Sequence, residues 1–324
     1  MPRYRPAAAV LTVMTAVACS VLAGVGQSPS RLPLEPAKTS GDSVTPSLEG
    51  WYQNPDGSFS ILLGYYNRNQ NQILDISIGP NNAIEPGGPD QGQPTHFLVG
   101  RQYGVFAITV PKDFGNKKLT WTLVSSGKTQ SIPVWLSPRY VVNPFLNLAN
   151  GNTPPVLRFA PEGPALQGPP RGIAASLSAA AAESVTLTLW AADKPPTVVF
   201  DPQRGAAGAR GAGGTDALGA GRGGRGGAPP PAVTITWTKY RGPGDVTFSN
   251  PKPPVDEQAD GKTTTTATFN LPGEYMLRAT ANDSSGEGDT GDQCCWTTAH
   301  VKITVHPGTG NLLVLALPVV GDVP

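Results

Sequence analysis

Hydrophobic and polar residues alternate with a period of two along most of this chain. The clearest stretch is TTTTATFNLPGEYMLRATAND, from Thr263 to Asp283. Thr264, Thr266, Thr268 and Asn270 share one face, and Thr265, Ala267, Phe269 and Leu271 share the other. After Pro272-Gly273, the residues Tyr275, Leu277, Ala279 and Ala281 line one face of the next segment. A half-buried strand needs this spacing, so the stretch predicts two antiparallel strands joined as a hairpin by a Pro-Gly turn. Val233, Ile235 and Trp237 alternate in the same way with Thr234, Thr236 and Thr238, which places Trp237 in a sandwich core.

The pattern repeats upstream. Phe59 to Tyr66 follows an Asn54-Pro55-Asp56-Gly57 turn, and Leu74, Ile76 and Ile78 share a face. Gly104 to Val110 alternates until Pro111 ends it. Leu119 to Val124 and Gln130 to Leu136 frame a hairpin through Ser125-Ser126-Gly127-Lys128. Many short strands between Gly/Pro-rich turns describe an all-β protein of two β-sandwich domains. The expected boundaries are a signal peptide at 1–23, a flexible leader at 24–47, an N-terminal sandwich at 48–146, a Pro-rich linker at 147–172, an Ig-like sandwich at 173–306 and a tail at 307–324. Within the second sandwich, 204–228 is Gly, Ala and Arg with Leu218 as its one large apolar residue, which predicts a disordered surface insertion. Leu312 to Val320 is apolar but too short to cross a bilayer as a helix, and reads as part of a tail, with an edge strand as the alternative.

Composition sharpens this picture. With 39 Gly, 35 Pro and only 15% charged residues in 324, the chain is unlike a helical enzyme. A net charge of +1 advertises no nucleic-acid partner. Arg204, Arg210, Arg222 and Arg225 in the Gly-rich insertion resemble an RNA-binding tail, a use that export argues against. Arg3 and Arg5 followed by the apolar run Ala7 to Ala18 form a secretory signal with cleavage expected after Ala23. An alternative uses Cys19 after Ala16-Val17-Ala18, which resembles a lipoprotein box and would supply a lipid anchor in place of an integral span.

Trp237, Gly242-Pro243-Gly244, Gly273-Glu274-Tyr275 and Asn282-Asp283, closed by His300 to Val305, resemble the PKD-like and REJ-like branch of bacterial Ig-like domains. The resemblance covers roughly Ala174 to Val305. It implies a sandwich with Tyr275 at a corner, and the roles of a spacer, an adhesion module or a sugar-contacting accessory. The Gly/Arg insertion and Cys294-Cys295 depart from the pattern. The whole chain also resembles exported proteins of environmental bacteria. Read from its own residues, Tyr275 either bonds its hydroxyl to nearby backbone or is a core ring with a wet tip.

Candidate chemistry is sparse. Asp283, Glu287, Asp289 and Asp292 sit in one short loop and offer hard oxygens to calcium, the one cofactor in view, although a polar loop tip needs no ion. Cys294 and Cys295 are open to a vicinal disulfide, to intermolecular bridging or to remaining as buried thiols. Trp51, Tyr52, Tyr65 and Tyr66, with the amides from Asn67 to Gln72, are a candidate ligand platform; the alternative places these rings in a core. His96, His300 and His306 fit no catalytic motif, and no nucleophile elbow or phosphate loop occurs. These features predict an exported, non-enzymatic binding or structural module of the periplasm, outer surface or medium, facing an envelope protein or glycan. The alternative is an accessory of a secreted polysaccharide-acting hydrolase.

Overall fold

A computed structural model describes residues 38–148, 150–194, 232–283 and 295–308. The expected signal peptide, Cys19, the 204–228 insertion, Glu287, Asp289, Asp292, Cys294 and nearly all of the tail lie outside the described residues. Sixteen strands and two short 3-10 turns, with no α-helix, make up the regular structure among the described residues.

The first eight strands are β1 (Val44–Gln53), β2 (Phe59–Asn67), β3 (Leu74–Asp75), β4 (Asn82–Glu85), β5 (His96–Phe97), β6 (Gly100–Val110), β7 (Leu119–Ser125) and β8 (Lys128–Val134). They form a β1-β2-β6 sheet, a β4-β7-β8 sheet and a small β3-β5 pair. One core between them holds Ile61, Leu63, Tyr65, Phe106, Trp121 and Leu123. The hairpin expected around Ser125 to Lys128 is the β7-β8 pair. Ser126 and Gly127 both take positive φ, at 49° and 70°, the geometry that suits a two-residue turn to twisted strands.

The remaining strands are β9 (Val156–Arg158), β10 (Ile173–Ala180), β11 (Ser184–Ala192), β12 (Val233–Arg241), β13 (Val246–Phe248), β14 (Lys262–Phe269), β15 (Gly273–Asp283) and β16 (Trp296–His306). A β10-β16-β15-β12 sheet faces a β13-β14-β11-β9 sheet. Trp237, Phe269, Tyr275, Leu277, Ala279, Val301 and Ile303 fill a second core. Ala267, Phe269, Tyr275, Leu277, Ala279 and Ala281 point inward as expected, whereas Leu271, placed on the same face in the sequence reading, is exposed at the turn.

Their pairing does not follow the expectation. β14 and β15 are not a hairpin: β14 bonds to β11 and β13, and β15 bonds to β12 and β16. The turn carries the chain from one sheet to the other, so Phe269 and Tyr275 meet across the core with ring centroids 4.8 Å apart. Alternation reports which face is buried and is blind to which strand supplies the hydrogen bonds. The 147–172 segment, read as a Pro-rich linker, contributes β9, whose Leu157 is fully buried. Strand β1 begins inside the expected leader, and β10, missed in the sequence, pairs in parallel with β16.

Strand β12 ties the two cores together. Val233, Ile235 and Trp237 enter the second core, while Tyr240 lies in the first, its hydroxyl donating to the Gly92 carbonyl. Arg241 forms two bonds to Asp90, at 2.8 and 3.0 Å, and donates to the Gln93 carbonyl. Lys239 reaches Asp75 at 3.2 Å, and the Thr95 amide donates to the Tyr240 carbonyl. The His300 ring lies against Tyr240 at 4.2 Å.

At the sheet-switching corner, the Tyr275 hydroxyl donates to the Leu271 carbonyl at 2.9 Å. Gly242 is the close approach that admits this ring, since a Cβ there would lie 2.1 Å from Tyr275 Cδ1. Tyr275→Phe is expected to destabilise the protein by about 1 kcal/mol in urea unfolding while leaving its circular dichroism unchanged. An unchanged midpoint would show that the hydroxyl bond contributes nothing.

Candidate ligand-binding cleft

The residues singled out in the sequence do not converge. Tyr65 is buried in the first core, where its hydroxyl accepts the Leu98 amide at 2.8 Å. Tyr52 is buried edge-on to Phe145. Trp51 packs edge-on to Phe59 and donates its indole N–H to the Ser137 carbonyl at 2.7 Å. Only Tyr66 is largely exposed, beneath Arg68. In the β1-β2 register Trp51 opposes Ile61 while Tyr66 opposes Thr45, so the two pairs of rings sit far apart along the sheet. Asn67 and Asn69 are equally committed: Asn67 donates to the Gln72 and Phe97 carbonyls, and Asn69 exchanges bonds with Asp42. The four rings do not come together: Tyr52 and Tyr65 are buried, Trp51 packs on Phe59, and Tyr66 stands exposed apart from them.

At the opposite end, Asp283 is buried and its carboxylate accepts from the Asn152 amide. Asp193 lies near it. Burial, and then the charge of Asp283, push the Asp193 carboxyl up to about 6. Among the described residues no three His, Cys, Asp or Glu side chains group as a metal site. Cys295 is disulfide-bonded and takes φ 83°.

A different site emerges where β6 passes the second core. Two β-bulges face each other across β2. One is at Glu49, where the β1-β2 register slips, and the other spans Tyr103 and Gly104, where the β2-β6 register slips. Bulges re-aim side chains, and here the Glu49 carboxylate fills the space over Gly64. A Cβ at Gly64 would lie 1.9 Å from Glu49 Oε1. The Gly104 amide donates to Oε2 at 2.7 Å, and Arg101 Nη2 lies 2.8 Å from Oε1, an ion pair that lacks the angle of a good hydrogen bond. Arg101 also bonds the Tyr65 carbonyl and Ser47 and sits over the Tyr103 ring at 4.3 Å. Gly104, at φ 52°, presses on the Trp296 indole so closely that a Cβ would lie 2.5 Å from it.

Beside this contact lies a cleft of about 240 Å³. Its floor is the outer face of β12 and β15: Thr236, Thr238, Arg278, Thr280 and Asn282. Leu98, Arg101, Gln102, Tyr103, Lys252 and Trp296 complete its lining. Arg278 is 8% exposed and bonds Gln102 Oε1 at 2.9 Å. Among the described residues no carboxylate lies within ion-pair distance of it, and its Nε has no partner. The Trp296 Nε1 is also buried without a partner. His300, next to Arg278 across the sheet, is pushed down to about 3 by burial and by the Arg278 and Arg241 charges, so it is neutral at physiological pH. The Arg101 and Arg278 charges both act on the buried Glu49 carboxyl, and Lys252 also lines the cleft.

The sequence displayed the Thr/Arg/Asn face as an ordinary polar strand face. Its covering by β6 depends on contacts between distant segments, and no local pattern encodes them.

No family model matches the chain, and no curated protein matches it. Among solved structures it is similar to the S-layer protein rSbsC(31-844), at 10% identity over 82% of this chain and 28% of that one, with a TM-score of 0.22. It is similar to the D0-D1 domain of Intimin, at 11% identity over 81% and 97% of the two chains, with a TM-score of 0.23. The titin Ig tandem A164-A165 matches at 10% identity over 82% and 100%, with a TM-score of 0.20. The chain spans little more than a quarter of the S-layer chain. At these scores the likenesses bear on neither the site nor the activity.

Burial pushes the Glu49 carboxyl up to about 7, against the pull of Arg101, the Gly104 amide and Arg278. The folded state therefore holds this proton more tightly than the unfolded chain, whose Glu titrates near 4.5. The stabilisation is full below about pH 4.5 and is lost as pH rises through about 7. Glu49→Gln removes this dependence. Unfolding measured from pH 4 to pH 9 is expected to show the variant gaining on the native protein by on the order of 3 kcal/mol toward high pH. A constant difference between the two across that range would contradict the buried carboxyl's titration.

Proposed function

We propose that this chain is an exported, non-enzymatic binding and structural module of the bacterial cell envelope, in which two β-sandwich domains are held as one body. The carrying observation is the β12 clamp: one strand contributes Trp237 to the second core and Tyr240 to the first, with Arg241 and Lys239 locked to Asp90 and Asp75. Such a junction suits a module that holds its surfaces at a fixed spacing. The Arg-rich start and apolar run of the first residues support export, and so does the disulfide at Cys295, since such bonds persist in oxidising compartments. The Tyr275 corner and the Trp237 core position support the PKD-like reading of the second sandwich. Among the described residues no helix is long and apolar enough to cross a membrane.

An accessory of a hydrolase is less well supported. Asp193 and Asp283 are electrostatically coupled, but Asp283 is buried and bound by Asn152, which leaves no opposed pair of free carboxylates.

Tagged full-length protein expressed in a bacterial host and followed by fractionation and pulldown tests the reading. The expected outcome is recovery with the envelope or medium, an envelope protein or glycan in the pulldown, and no release of reducing sugar from polysaccharides. Retention in the cytosol, or turnover of a polysaccharide, would overturn it.

A further inference from the structure

We infer that the cleft between β6 and the β12-β15 face binds an acidic saccharide, seating one uronic-acid ring with its carboxylate on Arg278. This deepens the binding half of the reading above and rests on it. Four observations converge on that ligand.

Arg278 supplies the first. A guanidinium stays charged at any physiological pH, and this one is almost wholly buried, with no carboxylate within ion-pair distance among the described residues. Glu49, the nearest candidate, is already held by Arg101 and the Gly104 amide. A buried charge without a partner is costly, and a ligand carboxylate would complete it bidentately. Lys252 at the rim adds a second cation that draws anions toward the opening.

The floor supplies the second. Thr236 lies directly opposite Thr280, and Thr238 directly opposite Arg278, so hydroxyls surround the guanidinium at cross-strand spacing. With Gln102 and Asn282 they offer several donors and acceptors to a ring bearing hydroxyls on most carbons. A bare inorganic anion would use few of them.

Third, an unpartnered indole donor borders the floor. Trp296 lines the cleft with its Nε1 unpartnered, and Tyr103 is fixed beneath Arg101 at 4.3 Å. Fourth, about 240 Å³ suits a single sugar ring, with the rest of a chain continuing into solvent.

Calorimetric titration of the full chain with trigalacturonate tests this, with its methyl ester, sodium acetate and sodium sulfate as separate arms. Saturable binding of trigalacturonate, about tenfold weaker binding of the neutral ester, and no saturation by acetate or sulfate is the expected result. Arg278→Gln should weaken trigalacturonate binding about 30-fold. Because that variant alters a buried group, Lys252→Ala, at an exposed position, provides a second reading. It should weaken binding about threefold and flatten its salt dependence, with an unchanged thermal midpoint. Equal affinity for acid and ester, acetate or sulfate binding as tightly as the sugar, or no binding in any arm would overturn the inference. Envelope location without uronate binding would remove this site and leave the structural reading in place. Uronate binding by a protein retained in the cytosol would do the reverse.

Discussion

The buried carboxylate of Glu49 is the constraint on which the junction depends. It occupies the gap that Gly64 leaves open, accepts the Gly104 amide and anchors Arg101. The two bulges that frame it bend β1 and β6 away from regular pairing. That bend brings Gly104, where a Cβ would collide, against Trp296 at the start of β16. A buried ion pair of this kind contributes little net stability, because desolvation offsets much of the attraction. Its value here is geometric: it fixes where β6 stands relative to the β12-β15 face.

From that position the rest follows. Strand β12 carries Val233, Ile235 and Trp237 into one core and ends with Tyr240 in the other. Its outer face, with that of β15, is left between the two cores, half covered by β6. Polar side chains that would be solvated on a lone sandwich are there enclosed. Arg278 and Asn282 become buried, while Thr236 and Thr280 line a cleft. Charge that would be screened in water is concentrated in a small space of lower dielectric.

Much of the architecture was legible in the sequence. The inward positions of Trp237, Phe269, Tyr275 and Leu277 follow from alternation alone, and Ser126-Gly127 announced its turn. The pairing of β14 with β11 in place of β15 was not, since a strand's period is the same whichever neighbour it bonds. β10 escaped because Ile173, Ala174 and Ala175 give it little alternation. The site was the least legible part. Trp51, Tyr52 and Tyr65 attracted attention as aromatics, yet aromatics fill small cores as readily as they bind ligands. Arg278 passed as one polar residue on a polar face, because its burial is set by β6, more than 170 positions away in the chain, as its bond to Gln102 shows.

Residual dipolar couplings of backbone amides in the two cores test the fixed junction most directly. Couplings from both cores should fit a single alignment tensor, in the orientation set by β12 and the Gly104–Trp296 contact. Two independent tensors of different magnitude would show that the cores move separately, and would contradict the account.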